Sequence, residues 1–306
     1  MSKKILFMGT PDYATKIFDE LLNSSYKVVG LFTQPDKPVG RKQVLTPPHI
    51  KQYCIDNNLE MPIFQPEKLR GNDEARQQIV DLKPDFIIVA AYGQILPKEI
   101  LDIAPCINLH ASLLPAYRGA SPIQESLLND DEYTGVTSML MEEGLDSGDI
   151  LALQYLKITP TMEVAEAFAK LSDIAAKLTI TTLDEFDNIQ PKKQNEAQVS
   201  FCGKIKKENG LVDFKDAKKL FLKYKAYSYW PGVFLESGLK LKDIELVETA
   251  SQNNEGEILQ IENDFIIISC NKGSLKIKTL QAPSKKAVSS VDYIRGQRLQ
   301  ITDTLK

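Results

Sequence analysis

The 306-residue chain has little of what marks several common chemistries. Its four cysteines, Cys54, Cys106, Cys202 and Cys270, show no CxxC spacing. That argues against a zinc ribbon or a disulfide-stapled scaffold and fits a reducing, cytoplasmic setting. No apolar run approaches the roughly 20 residues of a membrane span, so no membrane partner is expected. The apolar run after Lys3-Lys4 is too short for a signal-peptide core. It is followed by a single glycine, Gly9, instead of G-x-G-x-x-G. The glycine turn that admits a dinucleotide pyrophosphate is therefore missing, which excludes NAD or FAD. Only two histidines, His49 and His110, and one tryptophan, Trp230, are present.

The apolar share of 43% and charged share of 25% are those of an ordinary globular chain, long enough for two domains with a sizeable core. The net charge of −4 hides an asymmetry. Residues 1–199 hold 19 Lys+Arg against 28 Asp+Glu, while residues 200–306 hold 18 against 13. A basic second half points to an anionic partner, although a solvated lysine-rich surface explains the charge equally well.

Lys3–Met8 reads as a buried strand. Ala14, Ile17, Phe18, Leu21 and Leu22 follow helical spacing with Asp12 as the cap, and Lys27–Thr33 reads as a second strand. Strand, helix and strand in about 30 residues make a βαβ unit, hence a Rossmann-like parallel sheet covered by helices. The run from Gln34 to Pro48 has no periodicity. Connections of about 15 residues are uncommon in compact domains. It carries Lys37, Arg41 and Lys42 against Asp36, and the residues alone leave a mobile basic arm and a variable surface insertion equally open.

Further on, His49–Asn57 and Asp73–Leu82 read as helices, and Met61–Phe64, Asp85–Ala91 and Cys106–His110 as strands. Two more strands, Thr134–Met141 and Ile150–Ile158, are followed by a long helix striped by Val164, Ala167, Phe168, Leu171, Ala175 and Leu178. The polar stretch Asp187–Ala197, with Pro191, reads as a connection. From about Phe201 short alternating segments suggest a small OB-like β-barrel, with Ala217–Tyr227 as its one helix. The expected division is a catalytic domain over 1–189, a linker over 190–203 and a barrel domain over 204–306.

The densest chemistry lies between Asn108 and Asp146. Asn108 and His110 stand two apart at the end of a strand, so they point to the same side. Carboxyl ends of strands are where open α/β sheets place ligands. Asp146 sits in the Gly-rich stretch Gly144-Leu-Asp-Ser-Gly148. An amide donor suits a developing oxyanion, an imidazole carries a proton near neutrality, and a carboxylate orients either. The residues alone leave a catalytic set and a satisfied core histidine evenly balanced. Ser112 is not in a G-x-S-x-G elbow, so it is not read as a nucleophile. One His and one Asp without a nearby Cys make a poor set of metal ligands, so no metal is expected.

The run Asn108-Leu-His110-x-Ser112-Leu113-Leu114-Pro115-x-Tyr117-Arg118-Gly119-x-x-Pro122, with Asp146 downstream, resembles the folate-dependent formyltransferases. Gly9-Thr-Pro-Asp12, the Gln34-Pro-Asp-Lys-Pro-x-Gly-Arg41 loop and Tyr229-Trp-Pro-Gly232 extend the resemblance over essentially the whole chain. They narrow it to members that formylate the α-amino group of initiator methionyl-tRNA from 10-formyltetrahydrofolate. A sugar-nucleotide N-formyltransferase with the same donor is the alternative. A retired enzyme domain that only binds RNA is a second rival, opposed by the intact Asn108, His110 and Asp146.

The resemblance implies that Asn108, His110 and Asp146 are catalytic. It implies that Ser112, Leu113, Leu114 and Pro115, with Tyr92, Gly93 and Ile95, line the folate site. Arg41 and Lys42 would meet the acceptor end of the tRNA, and Lys204, Lys206 and Lys207 its backbone; a monomer is expected. Lys225 stands where the family pattern has Arg, which loses a bidentate fork. Trp230 is read as a packing residue between domains.

Overall fold

The computed structural model describes residues 2–40 and 42–306. Two compact units emerge. One takes the chain up to Pro122 with Tyr133–Lys157 and Phe168–Cys202, and the other takes Ile123–Glu132, Ile158–Ala167 and Gly203–Lys306.

In the first unit, β1 (Lys4–Gly9) is buried from Ile5 onward, as a central strand covered on both faces must be. Helix α1 (Asp12–Leu22) buries Ala14, Ile17, Phe18 and Leu21 at the expected spacing. Its capping position is Pro11, not Asp12: the Asp12 carboxylate instead accepts the Tyr13 amide one residue on. After β2 (Lys27–Phe32) comes a short antiparallel hairpin, β3 (Lys37–Val39) with β4 (Val44–Thr46). The stretch read as irregular therefore has strand structure. Its side chains are all exposed, so no buried face leaves a period in the sequence.

Then follow α2 (His49–Asp56), β5 (Ile63–Phe64), α3 (Asp73–Leu82), β6 (Phe86–Ala90), α4 (Lys98–Leu101) and β7 (Cys106–His110). Next in the chain come the short β8 (Arg118–Gly119), α5 (Pro122–Leu128), which falls in the second unit from Ile123 on, β9 (Tyr133–Leu140), β10 (Ile150–Lys157), the long α6 (Val164–Asp184), which falls in the second unit up to Ala167, and β11 (Phe201–Cys202).

The seven-stranded sheet runs β10-β9-β7-β6-β1-β2-β5. Its β2, β1, β6 and β7 pair in parallel, whereas β9 pairs antiparallel with β7, and β10 with β9. The sheet is thus mostly parallel, with two antiparallel strands at one edge. At that edge Asn108 and His110 of β7 pair in register with Met139 and Thr137 of β9. Residues 190–202 run with this unit. Ile150 and Lys192 exchange backbone hydrogen bonds, and β11 pairs in parallel with β8.

The second unit holds α7 (Ala217–Tyr227), β12 (Val233–Phe234), β13 (Lys240–Glu248), β14 (Ile258–Ile261), β15 (Ile266–Ser269), β16 (Ser274–Gln281), β17 (Val288–Ser289) and α8 (Ser290–Gln297). Its antiparallel sheet is ordered β12-β13-β16-β15-β14, with β17 on β16. Contrary to the expected barrel, this sheet does not close. Its two edges are covered by other segments: beside β14 the Ile258 amide donates to Asp303 O while the Thr302 and Leu305 amides donate to Ile258 O and Gly256 O, and the Val212 amide donates to Phe234 O of β12. Covering an edge removes its bare amides as effectively as closure does.

A second helix, α8, also departs from expectation; the Ser289 hydroxyl caps it by accepting the Asp292 amide. Strand β13 lacks a clean period of two. Its buried Leu241 and Ile244 are three apart, and Asp243 between them has φ +51. The core of this unit is Leu220, Leu241, Ile258, Ile266, Ile268, Leu275, Ile277 and Ile294. Trp230 is 51% exposed and Tyr229 is 88% exposed, so the tryptophan read as a packing residue is half in solvent.

Candidate active site

Asn108 and His110 lie on β7, between the parallel β6 and the antiparallel β9, where Asn108 faces Val89 and Met139 and His110 faces Thr137 in register. Their spacing of two puts both side chains on one side of the sheet. His110 is buried and Asn108 half-buried.

The chain leaves β9 into the loop that carries Asp146 and returns as β10. Gly148 fits there because a Cβ would overlap the Leu140 carbonyl, and Asp146 takes the left-handed φ of +48. Left-handed backbone is unfavourable for a residue with a Cβ, by roughly 1–2 kcal/mol, and Asp tolerates it better than most. The turn brings the carboxylate onto β7. Asp146 Oδ1 accepts from Asn108 Nδ2 at 3.4 Å, Oδ2 accepts the Gly119 amide at 2.8 Å, and Oδ2 lies 3.7 Å from His110 Nδ1. Gly119 has φ +124 and lies so close to the Cys202 carbonyl that a Cβ would overlap it. On the far side of the ring, His110 Nε2 lies 2.9 Å from the Tyr117 carbonyl. A carbonyl can only accept, so Nε2 carries a proton, and Nδ1 is the nitrogen turned to the carboxylate.

The Ser112–Pro115 run is a turn whose polar groups are committed internally. The buried Ser112 hydroxyl donates to Ala116 O at 2.6 Å. Thr137 Oγ1 donates to Ser112 O at 2.6 Å and accepts the Leu114 amide at 3.0 Å, and the Leu114–Pro115 bond is cis.

At the exit of β6, the Tyr92 carbonyl accepts from Thr10 Oγ1 at 3.1 Å and Gln34 Nε2 at 3.2 Å. The Tyr92 ring is buried, burial pushes its phenol well above the ordinary range, and among the described residues its hydroxyl has no hydrogen-bond partner. Gly93 has φ +83, and Ile95 is 70% exposed.

Asn108, His110 and Asp146 are therefore brought together. Of the basic residues named from the sequence, Lys42 is exposed after the first hairpin strand, and Arg41 lies outside the described residues. Lys204, Lys206 and Lys207 lie exposed in the second unit.

Two residues of the site were given no role by the sequence reading, although Arg118 stands in the quoted motif. Arg118 is 4% exposed and Gln194 is 9% exposed. The guanidinium donates from Nε and Nη2 to Gln194 Oε1 at 3.0 and 2.9 Å. Gln194 Nε2 donates to the carbonyls of Asp146 and Gly148, each at 2.8 Å. Gln194 stands in a polar stretch without periodicity, so nothing local marked it as buried.

A family model described as formyl transferase matches residues 3–183, and one described as formyl transferase, C-terminal domain, matches residues 204–298. The chain belongs to the formyl transferase family. As a formyl transferase, it is an enzyme whose first matched segment contains Asn108, His110 and Asp146.

Among curated relatives, the methionyl-tRNA formyltransferase of a Nitratiruptor species is 56% identical over 98% of this chain and 99% of its own length. That of Campylobacter lari is 54% identical over 99% of each. Among solved structures, an N-formyltransferase from Helicobacter canadensis, in complex with folinic acid and dTDP-3-aminofucose, superposes with a TM-score of 0.68. It is 17% identical and covers 92% of this chain and 100% of its own, a likeness of fold. Among the described residues no helix is long and apolar enough to cross a membrane.

Proposed function

We propose that this formyl transferase moves the formyl group of 10-formyltetrahydrofolate to the α-amino group of initiator methionyl-tRNA. The observation that carries this reading is the 56% and 54% identity, over nearly the whole chain, to relatives named methionyl-tRNA formyltransferase. In this reading residues 1–189 are the catalytic domain, 190–203 the connecting segment and 204–306 the tRNA-binding domain of a cytoplasmic monomer.

The chemistry follows from the bonds that change. The amine lone pair attacks the formyl carbon, a tetrahedral oxyanion forms, the bond from carbon to N10 breaks, and one proton passes from the amine to N10. Asn108 Nδ2 has one hydrogen directed at Asp146 and a second free to donate to the oxyanion. His110 is tied at Nε2 by Tyr117 O, so Nδ1 is the nitrogen available to the reacting atoms. Asp146 orients both neighbours and accepts the amine proton, directly or through a water, on its way to N10.

Ser112, Leu113, Leu114 and Pro115, with Tyr92, Gly93 and Ile95, line the folate site. Gly93 carries no side chain and Ile95 is exposed, which suits a ligand lying against this stretch of backbone. Arg41 and Lys42 meet the acceptor end, and Lys204, Lys206 and Lys207 meet phosphates. Among the described residues none of these four lysines has an ion pair, which leaves their charge free for an anion.

The test is formyl transfer from 10-formyltetrahydrofolate, with initiator methionyl-tRNA and an amino-sugar nucleotide offered separately at two salt concentrations. Rapid transfer to the tRNA that weakens as salt rises is the expected result. Transfer to the sugar alone would move the reading to a sugar-nucleotide N-formyltransferase.

A further inference from the structure

The polar stretch between the sheet and the second unit is built into the candidate active site. Backbone bonds between Lys192 and Ile150, at 2.8 and 2.9 Å, lay it beside the strand that leaves the Asp146 loop. Further on it grips the other loop: Ser200 Oγ accepts the Tyr117 amide at 2.9 Å, Ser200 O accepts the Arg118 amide at 2.9 Å, and Cys202 O accepts the Ala120 amide at 3.2 Å. Gln194 stands between these two attachments.

Its amide uses its whole hydrogen-bonding capacity. Each N–H goes to one carbonyl of the Asp146 loop, and both lone pairs of Oε1 go to Arg118. Arg118 is fixed in turn by Glu196 at 2.8 Å. One residue on, Gly119 N–H holds the Asp146 carboxylate, and one residue back, Tyr117 O holds His110. The backbone at Tyr117 and Asp146 is left-handed, with φ +60 and +48. Neither loop would rest in that geometry unaided, since such residues persist only where their surroundings over-determine them.

We propose that Gln194 is a positioning residue that couples the Tyr117–Gly119 turn to the Asp146 loop and so sets the placement of Asp146 against His110 and Asn108. It touches none of the reacting groups with its own side chain. Its effect on turnover rests on the formyl-transfer reading, whereas its effect on His110 does not.

The variants are Gln194→Met, which keeps the size and loses all four bonds, and Gln194→Glu, which keeps the Arg118 pairing and loses both donated bonds. Lys193→Ala, an exposed neighbour, is the control. With only two histidines in the chain, ring nitrogen resonances of 15N-histidine-labelled protein report on His110 at fixed pH without any substrate, and His49 serves as internal reference.

The proposal expects the His110 ring resonances to move in both variants while those of His49 stay. It expects kcat to fall on the order of 10²-fold, as an ångström of misplacement can cause, with KM for both substrates within a few-fold of the parent. Circular dichroism at the assay temperature identifies folded protein. Should Gln194→Met unfold, Gln194→Glu carries the test. Unmoved His110 resonances, unchanged kcat, or an equal loss in Lys193→Ala would overturn the proposal. A parent protein that fails to formylate methionyl-tRNA would overturn the functional reading and leave the resonance test of Gln194 standing.

Discussion

Two polar regions of this formyl transferase are built on opposite plans. Around Asn108, His110 and Asp146, nearly every polar group is buried and committed: both Asp146 oxygens, His110 Nε2, the Ser112 hydroxyl and all four positions of the Gln194 amide. Around Lys204, Lys206 and Lys207, the side chains are exposed and without ion pairs among the described residues, and only the backbone is organised, through the Lys206 amide on Asn209 Oδ1. Under the proposed function each plan suits its own task. Stabilising charge at one atom requires donors fixed in advance. Attracting a string of phosphates requires positive charge near the chain, with little demand on its geometry.

The largest effect separating the two plans is expected at Asn108. Asn108→Ala removes one donor from the organised region and should lower kcat by about 10²–10³-fold, the usual cost of an oxyanion donor. Single-turnover rates on saturating substrates measure it, and near-normal turnover would show that this amide is no oxyanion donor.

The exposed region should respond more gently and in a different quantity. Replacing Lys204, Lys206 and Lys207 together by alanine should raise KM for the tRNA. It should also flatten the dependence of log affinity on log salt by about 2 to 3, at roughly 0.7–0.9 for each phosphate no longer neutralised. Binding measured across a salt series reads this, and an unchanged slope would remove these lysines from the interface.

Lys225 tests the contrast within the second unit, because it is a lysine built like the first region. It is 2% exposed, with Nζ 3.3 Å from Pro160 O and 3.9 Å from Asp130 Oδ1. Burial pushes its ammonium below the ordinary lysine range, against the pull of Asp130. A folded-state value below the unfolded one means that the fold penalises the charged form. The penalty is full below the folded value and fades as pH rises from there toward the unfolded one, about 10.4. Asp130 keeps Lys218 at 2.7 Å when Lys225 is lost. Lys225→Met should therefore raise stability at pH 7 by roughly 1 kcal/mol, a gain that shrinks toward pH 10–11. Denaturant midpoints at the two pH values test it. A loss at pH 7, or a gain that grows with pH, would mean that the Pro160 and Asp130 contacts outweigh desolvation.

Local pattern carried far in this chain. Apolar runs at β1, β6 and β7 and the helical stripes of α1, α3 and α6 were legible because burial imposes a period of two or 3.6 within a few residues. The same parity placed Asn108 and His110 on one side of β7 before any fold was known. Elements without a regular buried face were not legible: the β3–β4 hairpin, which is wholly exposed, and β13, whose buried positions fall out of alternation at Asp243. Closure of the second sheet was not legible either, since whether an edge meets another strand or a covering segment such as 302–305 depends on residues far off in the chain.

Spacing along single strands and helices was thus enough to say where most elements form, which faces they bury and that Asn108 and His110 share one side of a strand. It took the folded chain to bring Asp146, 36 residues beyond His110, back to 3.7 Å from its ring, and to set Gln194, from a stretch with no pattern at all, against the loop that brings it there. Hydrogen bonds between distant loops depend on donors and acceptors meeting in space, and nothing in the local period of a chain records where a loop comes back.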